Sequence, residues 1–363
     1  LTQVKKRQKG SRKARTVKIA LLVLLAVAVV FAGMSMAGMK LILDSEFGRF
    51  DRPDPATTVE MHHSDLTENY PLELVSFLSG KNRLQGYLYP TADSPGLVVV
   101  AHGLGGGADS YLPQIRYFLD KGWSVFAYDA TACYDSEGEA VRGFPQGILD
   151  LHAALRFVES RPDLAELPVV IFGHSWGGYS AANVLHYDHD IAGIVAVAAP
   201  SSAAEMIVEQ GRQMMGWLMD TQRPFVWLYQ VMLFGKAALL DGEAALNKAG
   251  VPALIVHGTG DKVVFFDGSG IISKKDRIIN PKVQFLAIDE EGRNGHNSIL
   301  LSREAIAYAS DRNAELRALS EQYGGEIPYE VQREFFAKID KEQANELNLE
   351  LMETIHNFFL SCL

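Results

Sequence analysis

The feature that most restricts the fold of this chain is a series of short apolar runs of strand length, separated by stretches of helical periodicity. Residues 96–101 (GLVVVA) are the first, and similar runs recur at 123–128, 169–172, 191–197, 251–256 and 283–288. A continuous apolar run suits a strand covered on both faces, as in a parallel sheet. Between the runs, residues 110–121, 146–160 and 179–186 read as helices, while 72–78 and 83–89 read as a hairpin pair. The alternation predicts an α/β architecture with a mainly parallel central sheet and helices on both faces. Residues 201–249 break the pattern. They are helix-like throughout and hold five of the ten Met and two of the four Trp, which predicts a helical insertion over the sheet.

Residues 19–39 impose a second constraint, because 21 consecutive positions between Lys18 and Lys40 carry no charge. As a helix they span roughly 30 Å, the thickness of a bilayer's hydrocarbon core. A buried core helix is disfavoured, since Ala, Val, Leu and Ile surround the helix with no polar face. Eight Lys or Arg and no acid occupy residues 1–18, whereas Asp44, Glu46, Asp51 and Asp54 follow the apolar run. That asymmetry predicts a cytoplasmic N-terminus and an exported remainder. A cleaved signal peptide, releasing a secreted domain, is the competing reading, with Ser35-Met36-Ala37 as a passable small-x-small site. Residues 44–70 are polar and contain Arg52-Pro53-Asp54-Pro55, the composition of a linker. The expected division is a basic tail (1–18), a transmembrane anchor (19–39), a linker (40–70) and a folded domain (71–363).

The net charge of −10 becomes −18 once the basic tail is set aside, which argues against a general nucleic-acid-binding surface. Cys133 and Cys362 are too few for a disulfide framework and wrongly spaced for zinc; Cys133 reads as a small buried residue. His62-His63 and the 186–189 pair of histidines lack a third partner at ligand spacing and read as surface or loop residues, so no metal or other cofactor is expected. Residues 311–345 are charged and helical, a solvated elaboration before a closing helix at 347–360.

Chemistry concentrates at the ends of three predicted strands. After 169–172 comes Gly173-His174-Ser175-Trp176-Gly177, then helix-forming residues. A G-x-S-x-G at a strand-to-helix junction makes a tight turn that projects the serine hydroxyl above the sheet, so Ser175 is the candidate nucleophile. A serine needs a base, and the base an orienting carboxylate, in the chain order Ser, Asp, His. Asp261 follows the 251–256 strand in His257-Gly258-Thr259-Gly260-Asp261, with Asp267 as the nearest reserve acid. His296 follows the 283–288 strand in Gly292-Arg293-Asn294-Gly295-His296. Catalysis also needs N–H donors for a developing oxyanion. The backbone of Trp176 is one, and Leu104, in His102-Gly103-Leu104-Gly105-Gly106-Gly107 after the first buried strand, is the other.

With these motifs in place the chain resembles the α/β-hydrolase superfamily, specifically bacterial serine hydrolases of esterase or lipase type related to prolyl-oligopeptidase-like and monoglyceride-lipase-like enzymes. The resemblance covers about residues 71–310 and the final helix. It implies that 201–249 is a lid, with Met214, Trp217 and Trp227 among the candidates for a hydrophobic inner wall that binds an acyl group. It also implies a small-molecule ester substrate, hydrolysed through an acyl-enzyme. A peptidase of the same fold and a non-enzymatic binding protein on the same scaffold are the alternatives. One loop departs from the family pattern of Asp-x-Arg-Gly-x-Gly-x-Ser. Starting from Asp129, the Arg-Gly pair is replaced by Thr131-Ala132 and the next glycine by Tyr134.

Overall fold

Eight strands form one sheet: β1 (Glu73–Ser79), β2 (Asn82–Tyr89), β3 (Leu97–Ala101), β4 (Ser124–Tyr128), β5 (Val169–His174), β6 (Gly193–Val197), β7 (Ala253–Gly258) and β8 (Val283–Ile288). Their spatial order is β1-β2-β4-β3-β5-β6-β7-β8. The first two strands pair antiparallel, β2 joins β4 antiparallel, and every later pairing is parallel. The structure, a computed structural model, describes residues 2–363, with side chains from residue 15 onward. The basic residues from Lys5 to Lys13 fall outside the described side chains.

Among the described residues, eleven α-helices accompany the sheet: α1 (Thr2–Glu46), α2 (Leu112–Asp120), α3 (Pro145–Ser160), α4 (Trp176–Val184), α5 (Ala203–Met215), α6 (Arg223–Phe234), α7 (Gly242–Ala249), α8 (Arg303–Gln322), α9 (Tyr329–Phe336), α10 (Lys341–Ala344) and α11 (Leu349–Ser361). The two-residue period of the strands divides the core. Val99, Phe126, Ile171, Ile194 and Ile255 face the layer of α3, α4 and α7, while Val98, Val100, Phe172, Val195 and Val256 face α2 and α11. β3 to β7 are apolar on both faces for this reason. At the sheet's edge β8 is half-buried along its length, although its sequence reads like that of the inner strands.

The insertion between β6 and β7 is helical. Ser202 caps α5 by accepting from the Glu205 N–H, and Asp241 caps α7 by accepting from Ala244. Helix α7 packs against α4 and so belongs to the layer that covers the sheet. The cap proper comprises α5, the 3-10 turn Gly216–Gln222, α6 and the 3-10 turn Gly235–Leu239.

The N-terminal region differs most from its sequence reading. Helix α1 does not stop at residue 39, and Arg15–Glu46 is long and apolar enough to cross a membrane. Its last turns pack on the domain: Met39, Leu43 and Phe47 are 2–4% exposed and join the same core as β3 and α3. The segment expected to be a free linker is likewise fastened down. Phe50 forms a parallel bridge with Cys133, and the Arg49 guanidinium donates to the carbonyls of Tyr134, Ser136 and Gly138 at 2.6, 3.0 and 3.2 Å. Arg49, Arg52 and His63 find acceptors and acids of the domain beneath them, whereas Asp51, Asp54, Ser64, Asp65 and residues 67–69 are exposed.

Candidate active site

Tight backbone geometry places Ser175 where β5 passes into α4. The serine has φ 56° and ψ −117°, a region that side chains enter only under constraint. The constraint is the close passage of neighbouring chain. A Cβ on Gly177 would lie 1.9 Å from the Ala101 carbonyl oxygen, and one on Gly173 would lie 2.3 Å from that of Gly177. Both positions therefore admit only glycine.

Three strand ends meet at this turn. His296 Nε2 is 2.9 Å from Ser175 Oγ, and His296 Nδ1 is 2.7 Å from Asp261 Oδ2. The other Asp261 oxygen accepts from the N–H groups of Val263 and Val264 at 2.8 and 2.9 Å. Burial pushes this carboxyl upward, yet hydrogen bonding from His257 and His296 outweighs it and holds the group well below the usual carboxylate range. Asp261 is thus an anion beside the imidazole. Asp267, on the exposed side of its loop, makes no bond to His296.

The loop after β3 borders the serine, with a Cβ on Gly103 falling 3.7 Å from that of Ser175. Among the described residues no hydrogen-bond acceptor is found for the Leu104 N–H, and Trp176, as the first residue of α4, has no intrahelical acceptor. Two backbone donors without an acceptor among the described residues therefore flank the Ser175 turn.

Sequence reasoning did not anticipate the bracing of this site. The Gly103 N–H donates to Tyr111 Oη at 3.0 Å, that hydroxyl meets His174 Nδ1 at 2.8 Å, and His174 Nε2 meets the His296 carbonyl at 3.0 Å. Because the amide must donate and the carbonyl must accept, the Tyr111 O–H donates to Nδ1 and the proton of His174 sits on Nε2. Burial, followed by the neighbouring His296, pushes the His174 pKa down to about 3, so the ring is neutral and the chain of bonds is complete. It ties together the glycine loop, the serine turn and the histidine loop.

A second brace comes from the N-terminal segment. Asp109 is 1% exposed; Arg52 Nε lies 2.8 Å from one carboxylate oxygen, and His63 Nε2 lies 2.7 Å from the other. His63 is buried and stacked on Tyr87, which corrects the surface reading of this histidine: it pairs a buried acid. Asp129 accepts from the Ala108 N–H at 2.8 Å and from the Tyr87 hydroxyl at 2.9 Å; burial raises its pKa to about 6 against those bonds. The loop that departs from the family pattern keeps left-handed backbone without glycine, at Ala132 (φ 61°) and Tyr134 (φ 42°). Phe50 and Arg49, bonded to these same residues, hold that conformation. Cys133 between them is fully buried, and burial pushes its thiol up.

Met214, Trp217 and Trp227 are 82%, 74% and 49% exposed. They are not the buried wall expected from the sequence. The buried side chains of the cap are instead Met206, Val208, Met219, Val226 and Tyr229, which join the same apolar cluster as β3 and α3. A groove of about 920 Å³ beside β1 and α3 contains none of Ser175, Asp261 and His296.

Comparisons with known proteins agree with this architecture. The family model Hydrolase_4, described as serine aminopeptidase S33, matches residues 92–238, which include the glycine loop and Ser175 but end before Asp261 and His296. The uncharacterized protein YfhR of Escherichia coli is 26% identical over 193 residues, covering 50% of this chain and 60% of that protein. Polyketide transferase af380 of Aspergillus fumigatus is 26% identical over 117 residues, covering 31% and 40%. The chain thus spans less than two thirds of either relative. The solved structure of the Pyrococcus furiosus esterase Pf2001 superposes with a TM-score of 0.53 at 18% identity, covering 76% of this chain and 98% of that one. The chain has the α/β-hydrolase fold.

Proposed function

We propose that the protein is a membrane-anchored serine hydrolase of carboxylic esters. The observation that carries the reading is the continuous contact from Ser175 through His296 to Asp261. Ser175 Oγ attacks the acyl carbonyl while His296 Nε2 takes its proton; the histidine returns that proton to the departing alkoxide, leaving the acyl group on the serine. Water then attacks the acyl-enzyme with His296 as base, and the acid is released. Asp261 fixes the Nδ1–H tautomer and stabilises the imidazolium. The N–H groups of Leu104 and Trp176 receive the oxyanion. The expected substrates carry apolar acyl groups, because the buried side chains of the cap are apolar.

Helix α1 supports anchoring, with the basic tail on the cytoplasmic side and the domain extracytoplasmic. The description of the matching family favours one second reading, cleavage of an N-terminal aminoacyl bond, by the same three residues.

The test is fluorophosphonate labelling and turnover of acyl esters of graded length beside aminoacyl amides. Ser175→Ala abolishes labelling and lowers ester turnover by at least about 10³-fold. Undiminished turnover in that variant refutes the triad, and faster cleavage of the amides selects the peptidase reading.

A further inference from the structure

The apolar part of α1 is only partly free. From Val17 to Val30 its side chains are exposed, but at Phe31 the helix meets the cap, where the Phe31 and Phe225 rings pack edge to face at 5.7 Å. Farther along, Ser35, Met39 and Leu43 are buried, and Tyr229 of α6 lies near Lys40 and Asp44. The uncovered uncharged stretch, residues 19–31, is therefore about 20 Å long at the rise of an α-helix, against about 30 Å of hydrocarbon. The missing length lies in residues 32–39, the part of α1 that already rests against the cap. For the uncharged run to span the bilayer, the adjoining end of the cap must enter it too.

That end has the composition to do so. Phe225, near the start of α6, is the residue that meets Phe31, while Tyr229 one turn later lies near Asp44, so the N-terminal end of α6 is the end on the membrane side. There the chain turns through Met214, Met215, Trp217 and Leu218, which are 82%, 41%, 74% and 47% exposed, with Trp227 and Leu228 of α6 at 49% and 41%. Arg212 and Arg223 flank this patch and share Asp220, leaving one positive charge in excess. Exposed Trp and Met ringed by Arg is the composition of a surface held at the headgroup level.

We propose that the tip of the cap, residues 212–228, is embedded in the interfacial layer of the bilayer crossed by α1, so that the occupant of this apolar face is lipid. This rests on the anchoring reading above. The domain is then held against the membrane at two places, and esters dissolved in the bilayer reach the cap without crossing bulk water.

The four tryptophans provide the measurement, because Trp123 and Trp176 are buried whereas Trp217 and Trp227 lie at the tip. The full chain is reconstituted in phosphatidylcholine–phosphatidylglycerol vesicles whose acyl chains are brominated near the carbonyl end. The expected result is loss of roughly half of the tryptophan emission relative to unbrominated vesicles, and no loss in the double variant Trp217→Phe/Trp227→Phe. Retained fluorophosphonate labelling shows that this variant is folded. If the chain sediments with the vesicles after a carbonate wash but its emission is unquenched, the proposal is overturned while the anchor stands. Cross-linking of two copies through the tip with unquenched tryptophans overturns it equally, in favour of a dimer. A chain that leaves the vesicles in carbonate refutes the anchor and the proposal together; labelling of Ser175 is indifferent to all of these outcomes.

Discussion

Tyr111→Phe removes one oxygen atom and should disturb both the stability and the chemistry of the site. The ring stays packed, edge to face with Phe172 at 6.5 Å. What is lost is the acceptor of the Gly103 N–H and the donor to His174 Nδ1, both buried. A buried polar group stripped of its partner costs about 1–3 kcal/mol, so two of them cost about 2–6 kcal/mol, a large share of a typical domain stability of about 5–15 kcal/mol. His174 also loses the bond that fixes its proton on Nε2, and the His296 carbonyl loses an assured donor. The expected effect on catalysis is therefore a fall in kcat of about 10-fold with little change in KM, since about 1.4 kcal/mol of misplacement is one decade in rate. The stability change is read from denaturant midpoints of the detergent-solubilised chain by tryptophan emission, and the rate from ester hydrolysis. A variant within about 0.5 kcal/mol of the parent, with unchanged kcat, refutes the bracing role of this chain of bonds.

Other outcomes follow from the same structure. Asp261→Asn should leave the fold intact but lower kcat by about 10³–10⁴-fold, because the wrong His296 tautomer then faces Ser175; a change under about 10-fold, measured with a folded variant, would point to another acid. Removing residues 1–70 should abolish both soluble yield and fluorophosphonate labelling. That cut takes Met39, Leu43 and Phe47 from the core and leaves Asp109 without Arg52, and an unpaired buried charge alone costs about 3–5 kcal/mol; a labelled, monomeric product would show that the segment is dispensable. His174 is a case of pH linkage. Its folded pKa of about 3 lies below the unfolded value of about 6.5, so the unfolded chain binds the extra proton and the histidine's contribution is lost as the pH falls below about 6.5. The cost of His174→Gln should accordingly shrink by about 2 kcal/mol between pH 7 and pH 5; denaturant curves giving a constant cost would contradict a neutral buried ring.

What the sequence made legible was whatever depends on local periodicity. β3, β4 and β5 are buried on both faces, and their runs of Val, Ile and Phe report that directly. The turn around Ser175 was equally visible, since glycines at 173 and 177 answer to contacts within a few ångströms of backbone. The N-terminal braces were hidden because their partners are remote. Arg52 and His63 look like linker residues until Asp109 is brought beneath them, and Arg49 finds its carbonyls more than eighty residues away. The Tyr111–His174 link was obscured in another way: the unspecified position of a G-x-S-x-G gives no sign of what its side chain does. The cap's Met and Trp residues were read as an inner wall because composition shows that a helix is apolar but not which neighbour, if any, covers it.

The left-handed backbone at Ser175 also restricts what could ever replace it. A residue there must hold φ 56° and ψ −117°, which a β-branched side chain resists most strongly. Threonine, the other aliphatic alcohol, is shut out by its extra methyl group although its oxygen could do similar work. Cysteine keeps the unbranched Cβ, and a thiol beside His296 would ionise more readily than the alcohol it replaced. The mutational exit open to this lineage is therefore toward sulfur, one atom away, and closed toward a second hydroxyl amino acid.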